Sequence, residues 1–280
     1  MKLNILRSCI LIVLFFSLSS WGEKGHYKIN SSCTQSFPHR IRNLKTWSAA
    51  LAAHASDADK RRSQDPYEAN RHYIDIDNYP GFTADHKIIE NRDSAYRNYT
   101  RKFIYKNGSL PWTTDSTYHA LVQNFRAKDW SRAMLTAAYM GHYIGDGHMP
   151  LHLTANYDGK FTSQSGIHDR YESKMINQYY DEITFNRSRV KKVKDVRSYI
   201  FKYIYNNYQY KDSLLAADKK AYAEAGNEYS KAYYQLLWKS TKHFTVALLA
   251  NSSRSMAELI YTAWIEAGKP KIPKNLNPGE

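Results

Sequence analysis

The sequence predicts an all-α protein, folded as a single compact multi-helix domain. Apolar residues recur at helical spacing along most of the chain. No stretch keeps the two-residue alternation of a strand. No repeat or linker divides it. Residues 43–59 set Leu44, Trp47, Leu51 and Ala55 on one helical face, and residues 117–125 do so with Leu121 and Phe125. Over residues 129–145, Asp129 is a ready N-cap and Met134, Leu135, Ala138 and Tyr139 form the apolar stripe. Residues 167–180 and 196–210 keep the same period. Residues 227–250 carry Tyr229, Tyr233, Leu236, Leu237, Phe244 and Leu248. Residues 253–267 close the set, stopped by Gly268, Lys269 and Pro270. Residues 78–93 and 154–166 read as loops, and residues 269–280 as a flexible tail.

Composition narrows the class. With 42% hydrophobic and 14% aromatic residues in 280, the chain is not disordered. Two cysteines exclude a disulfide scaffold. The net charge of +14 favours anionic partners such as nucleic acid, anionic lipid or phosphorylated compounds. Lys2 and Arg7 precede a short apolar run over residues 10–16, and Ser20 is a small residue at a cleavable position. This predicts a secretory signal peptide over 1–20, cleaved before Trp21, and a secreted, periplasmic or extracellular protein. The run is too short to anchor the chain in a membrane. Cleavage lowers the charge from +14 to +12 and leaves Cys33 as a lone thiol.

The histidines are not scattered. His142, Asp146, His148 and His152 fall within eleven residues. His142 and Asp146 are four apart on an expected helix, so both leave one face. Pro150 ends that helix and lets His152 turn back. His168 and Glu172 repeat the i, i+4 spacing, and Asp57, Asp59, His72, Asp75 and Asp77 lie upstream. Imidazoles with carboxylates are the ligand set of a hydrolytic zinc site. The same pairs, taken singly, are also common on helix surfaces.

The combined pattern resembles the zinc-dependent phospholipase C and single-strand-specific nuclease superfamily, from Trp21 to about Glu172. Its members begin their mature chain with Trp followed shortly by His, as Trp21 and His26 do in WGEKGH. They continue with an Asp ahead of a His, an HxxxD pair with a further His, and a final HxxxD or HxxxE. Asp59, His72, His142, Asp146, His152, His168 and Glu172 follow that order. The resemblance implies an all-α domain over residues 21–268 with a trinuclear zinc cleft. In it Asp59, His72, His142 and Asp146 hold one zinc, and His152, His168 and Glu172 the second. The free amine and carbonyl of Trp21, with His26 and a shared Asp146, hold the third. Asp57 is the alternative to Asp59. The remaining histidines, including His54 and His148, match no family position and read as structural. Asp75 and Asp77 are either partners orienting His72 or a polar loop. GSLPW over residues 108–112 resembles a family turn.

The implied reaction is hydrolysis of a phosphate ester, with Asp59 also orienting or deprotonating the water. His168, Tyr171 and Glu172 resemble the phospholipase C branch. The WGxxGH spacing and the basic charge lean to the nuclease branch, so the expected partner is an anionic phosphoester, phospholipid or single-stranded nucleic acid. Lys60, beside the proposed ligand, argues against a choline headgroup. The leading expectation is a secreted zinc-dependent phosphodiesterase of phospholipase C type. The alternatives are a single-strand nuclease and a non-catalytic basic binding protein.

Overall fold

Apolar periodicity becomes helix almost throughout the computed structural model, which describes residues 21–274 and Leu276. The described residues contain no strand. The signal peptide expected over 1–20 lies outside them. Six long helices carry the architecture: α1 (Gly22–Cys33), α2 (Leu110–Ala127), α3 (Trp130–Asp146), α4 (Val196–Tyr208), α5 (Tyr210–Glu224) and α6 (Lys231–Glu266). None is long and apolar enough to cross a membrane.

Helix α3 is the centre. Lys128, in the left-handed region at φ 58°, and Asp129 join it to α2 as a helical hairpin. Asp129 Oδ1 accepts from the Arg132 N–H at 2.9 Å, the expected cap. Helices α1 and α6 pack against α3, and α6 also braces α2 and α5. Every residue of α3 from Met140 to Asp146 is buried. A larger apolar core runs through Phe37, Trp47, Phe125 and Ile260. A smaller one gathers Trp21, Tyr171, Tyr233 and Leu237.

Several element boundaries differ from expectation. Residues 43–59 form a 3-10 segment (His39–Trp47), a short helix (Ser48–Ala53) and another (Asp57–Arg61). The chain breaks between them around Ala55, whose carbonyl accepts from His142 Nδ1 at 2.7 Å. GSLPW is the start of α2, with Pro111 in the first turn where its missing N–H costs nothing. Residues 227–250 and 253–267 are one 36-residue helix, α6. Residues 251–252, which read as a break, lie within it; Ser252 is buried there, and serine's weak helix propensity is outweighed by packing. Helix α5 went unread; its inner face sets Asp218 among Leu214, Leu215, Ala217 and Ala221, so a charged residue interrupts a short apolar stripe. The segment expected to trail off after Gly268 is held where it is described. Asn43 Nδ2 donates to the carbonyls of Ile272 (3.3 Å) and Pro273 (3.1 Å), and Leu276 is buried.

Asp218 has a partner across the smaller core. The Arg170 guanidinium, 5% exposed, donates to Asp218 Oδ1 at 3.2 Å, to the Gln164 and Ser165 carbonyls and to Tyr233 Oη. Tyr233 Oη and Gln164 Nε2 donate to Asp218 in turn. This network anchors the π-helical segment Arg170–Met175. Asp218→Ala strands a buried guanidinium, and urea unfolding should show a loss of about 3–5 kcal/mol.

Candidate metal centre

Three groups of imidazoles and carboxylates converge beneath α3, each compact enough to hold a metal ion. Asp59, His72 and His142 form one, and His26, His142 and Asp146 another. His152, His168 and Glu172 form the third. Every histidine and carboxylate expected from the sequence is therefore at the site.

The separations suit coordination. Zinc bonds of about 2.0–2.1 Å in tetrahedral geometry put neighbouring ligand atoms about 3.3 Å apart. His72 Nδ1 is 3.0 Å from both His142 Nε2 and Asp146 Oδ2, and His142 Nε2 is 3.5 Å from Asp146 Oδ2. Asp59 Oδ1 lies 3.6 Å from His72 Nδ1 and 3.7 Å from His142 Nε2. These are five of the six edges of one tetrahedron. Asp57 faces away, tied to His54 Nδ1 (2.6 Å) and Lys60 Nζ (3.1 Å), so Asp59 is the inward acid. In the other group His152 Nε2 and His168 Nε2 are 3.2 Å apart, and Glu172 reaches them at 3.4 and 3.0 Å. Asp146 serves two groups: Oδ2 faces His72 and His142, while Oδ1 is 3.4 Å from His26 Nε2. The backbone nitrogen of Trp21 stands 3.1 Å from Glu172 Oε2, beside the His152 group, and the Trp21 indole donates to the Gly145 carbonyl at 2.7 Å.

Backbone carbonyls fix the rings. His142 Nδ1 bonds the Ala55 carbonyl, His152 Nδ1 the His72 carbonyl at 2.6 Å, and His168 Nδ1 the Tyr157 carbonyl at 3.3 Å. A carbonyl only accepts, so each Nδ1 carries the proton and each Nε2 offers its lone pair inward. His72 is reversed: Nδ1 faces the site, and Nε2 lies 3.3 Å from Glu68 Oε1. Glu68, fully buried, also takes Arg61, Arg71 and the Tyr143 hydroxyl. Of the two readings left open for Asp75 and Asp77, a partner orienting His72 or a polar loop, the first is filled by Glu68. Asp77 instead fixes the loop after His152 by accepting from Thr154 Oγ1 (2.6 Å) and the Ala155 N–H (2.9 Å). Glu68 precedes His72 by four residues, a spacing visible in the sequence. His54 and His148 are structural as expected: His148 bonds the Ile144 carbonyl and stacks on Tyr203.

The electrostatics call for added positive charge. Burial opposes ionisation of Asp146, yet His142, His26 and His72 hold its carboxyl well below the usual range. Burial raises Glu172 in the same way, but His168 and His152 overcome it and lower it. Burial lifts Asp59 above its ordinary value against the pull of His72 and Arg62. Burial and the neighbouring His26 push the His142 imidazole well below its ordinary value. Buried carboxylates gathered with imidazoles fit a divalent cation.

Close packing sets the remaining distances. Gly141 and Gly145 of α3 face Asn30 and His26 of α1. A Cβ at Gly145 would stand 2.7 Å from His26 Cε1, and one at Gly141 would stand 2.4 Å from Asn30 Oδ1. A cleft of 370 Å³ opens over the groups, lined by Arg62, His72, Tyr73, Asp75, Lys106 and Tyr157 among others. Arg62 Nη2 is 3.1 Å from Asp59 Oδ1. Lys60, expected beside the substrate, is exposed and bound to Asp57, so the neighbouring cation at the cleft is Arg62.

Gly145→Ala should displace His26, lower the bound-metal stoichiometry measured by elemental analysis, and cost about 1–3 kcal/mol in thermal unfolding. Asp75 gives a pH signature. Burial and Asp77 raise its pKa to about 7, so the folded chain keeps a proton that the unfolded chain releases above its ordinary value of 3.8. Stability is therefore lost as pH rises from 3.8 towards 7. Asp75→Asn should remove that share of the loss in urea titrations at pH 5 and pH 8.

No known protein-family model matches the chain and no curated protein does, so its functional reading rests on these residues.

Proposed function

We propose that the protein is a secreted, zinc-dependent phosphodiesterase holding up to three ions in the groups around Asp146. The observation that carries this reading is the set of tetrahedral edges among Asp59, His72, His142 and Asp146, all between 3.0 and 3.7 Å. An ion bound there supplies Lewis acidity towards a phosphoryl oxygen and makes water acidic at neutral pH. The chain's own groups do the rest. Arg62 offers a fork of donors to the phosphate, and Lys106 adds a second cation to the cleft. Asp59, raised by burial, orients the attacking water or takes its proton. Glu68 holds the His72 ring so that Nδ1 faces inward.

The cleft bears on the substrate. The lean towards phospholipid rested partly on Tyr171, and that ring is fully buried, its hydroxyl 2.7 Å from Thr245 Oγ1. It does not face the cleft. Besides the ligand histidines, the residues that do include two cations, the rings of Tyr73 and Tyr157, and Asp75, whose buried Oδ1 makes no hydrogen bond. Cations for phosphates, flat rings for stacking and an acceptor for an amino group favour single-stranded nucleic acid. The second reading, phospholipid, has one observation of its own. Phe161, 77% exposed, sits on the loop between His152 and His168, where it would insert into a lipid surface.

The test is turnover of single-stranded DNA and of mixed phospholipid vesicles by zinc-loaded protein, each with a chelator control. Chelation and His142→Ala should each abolish hydrolysis. Glu68→Gln should weaken zinc binding or activity by about 10–100-fold. Full activity in His142→Ala, or after complete zinc removal, overturns the reading.

A further inference from the structure

A second cavity lies on the other side of Glu68 from the metal groups. It encloses 580 Å³ and shares no lining residue with the cleft. Arg61, Arg71 and Arg92 line it, and no carboxylate does. Arg61 and Arg71 are anchored from below by Glu68. Arg71 also reaches Asp65 at 2.9 Å. These contacts hold the two guanidiniums rigid without using all their donors: Arg61 Nη1 is buried and makes no hydrogen bond. Arg92 has no carboxylate partner among the described residues and donates only to Ser116 Oγ at 3.3 Å. The cluster therefore has one more guanidinium than the two carboxylates that serve it.

The opposite wall is α2, which presents Thr113, Ser116, Thr117 and Ala120 at i, i+3, i+4 and i+7. A helix packed into a core would put apolar side chains there. Ser116 Oγ donates to the Trp112 carbonyl and Thr117 Oγ1 to the Thr113 carbonyl, both at 2.8 Å. Their protons are spent; Ser116 Oγ already accepts from Arg92, and the remaining lone pairs of the two hydroxyls are left for a donor in the cavity. The rings of Tyr67, Tyr96 and Tyr139 complete the walls. Arg61 stacks over Tyr139, 4.2 Å from its centroid.

From these features we propose that the cavity is a binding site for a phosphorylated sugar. The arginines take the phosphate, since guanidinium forks match phosphate oxygens. The α2 hydroxyls accept from the sugar's hydroxyl groups, and the tyrosine rings cover its apolar face. The volume is in the range of small-ligand pockets. The site is separate from the metal cleft and does not depend on the phosphodiesterase reading.

The test is calorimetric titration of zinc-loaded protein with ribose 5-phosphate, with ribose and inorganic phosphate run beside it. Ribose 5-phosphate should bind, and at least about tenfold more tightly than either fragment. Arg92→Ala should weaken it about tenfold or more, leaving zinc content and phosphodiester turnover unchanged. Thr117→Leu, which fills the cavity without touching an arginine, should weaken it as well. Circular dichroism identifies a variant that fails to fold, and the other variant then decides. No binding to the wild type overturns the proposal. So does equal affinity for inorganic phosphate, or unchanged affinity in a folded Arg92→Ala or Thr117→Leu protein, which would place the ligand on the metal cleft.

Discussion

Asp146 ends a helix at the pole where the macrodipole is already negative, with none of its surface in water. Both conditions work against a carboxylate. The surrounding structure answers with His26, His72 and His142, drawn from three separate stretches of chain onto the two oxygens. The placement of α1 against α3 and the turn that brings His72 inward both serve that compensation. Glu172 poses the same problem a short distance away, and His152 and His168 answer it.

Holding an imidazole in one orientation needs an acceptor behind it, and helix interiors have none to spare because their carbonyls are bonded within the helix. The carbonyls that serve here come from Ala55, His72 and Tyr157, all in irregular segments. This explains the division of labour in the fold. Long helices give bulk and rigidity, while short turns and 3-10 pieces gather around the site and supply its second layer. The π-helical turn at Arg170–Met175 belongs with them, because it carries Glu172 and is fastened by the buried Arg170 network.

The donor set was legible in the sequence because i, i+4 spacing on a helix is local geometry: His142 with Asp146, and His168 with Glu172, needed no tertiary information. The choice between Asp59 and Asp57 was not legible, since it depends on which side of a five-residue helix meets His72. Glu68 was legible in principle and passed over, because its spacing to His72 falls in a stretch that lacks helical periodicity. Among the elements, α3 was readable from its cap and stripe. Helix α5 was not, because its apolar stripe is short and is interrupted by Asp218, whose buried partner Arg170 comes from a distant segment. The single long α6 was hidden by Asn251 and Ser252, weak helix formers, and the burial of Ser252 appears only in the packed structure.

The seven buried residues from Met140 to Asp146 each answer to a different neighbour. His142 and Asp146 face the metal groups, Gly141 and Gly145 admit α1, and Tyr143 reaches Glu68. Met140 and Ile144 are buried in the core. No side of these nearly two turns is left for neutral drift. Random mutagenesis across the gene should therefore leave a gap in the map of tolerated changes here, and any lineage that alters the chemistry of this fold has to do so from the loops, with this stretch carried through unchanged.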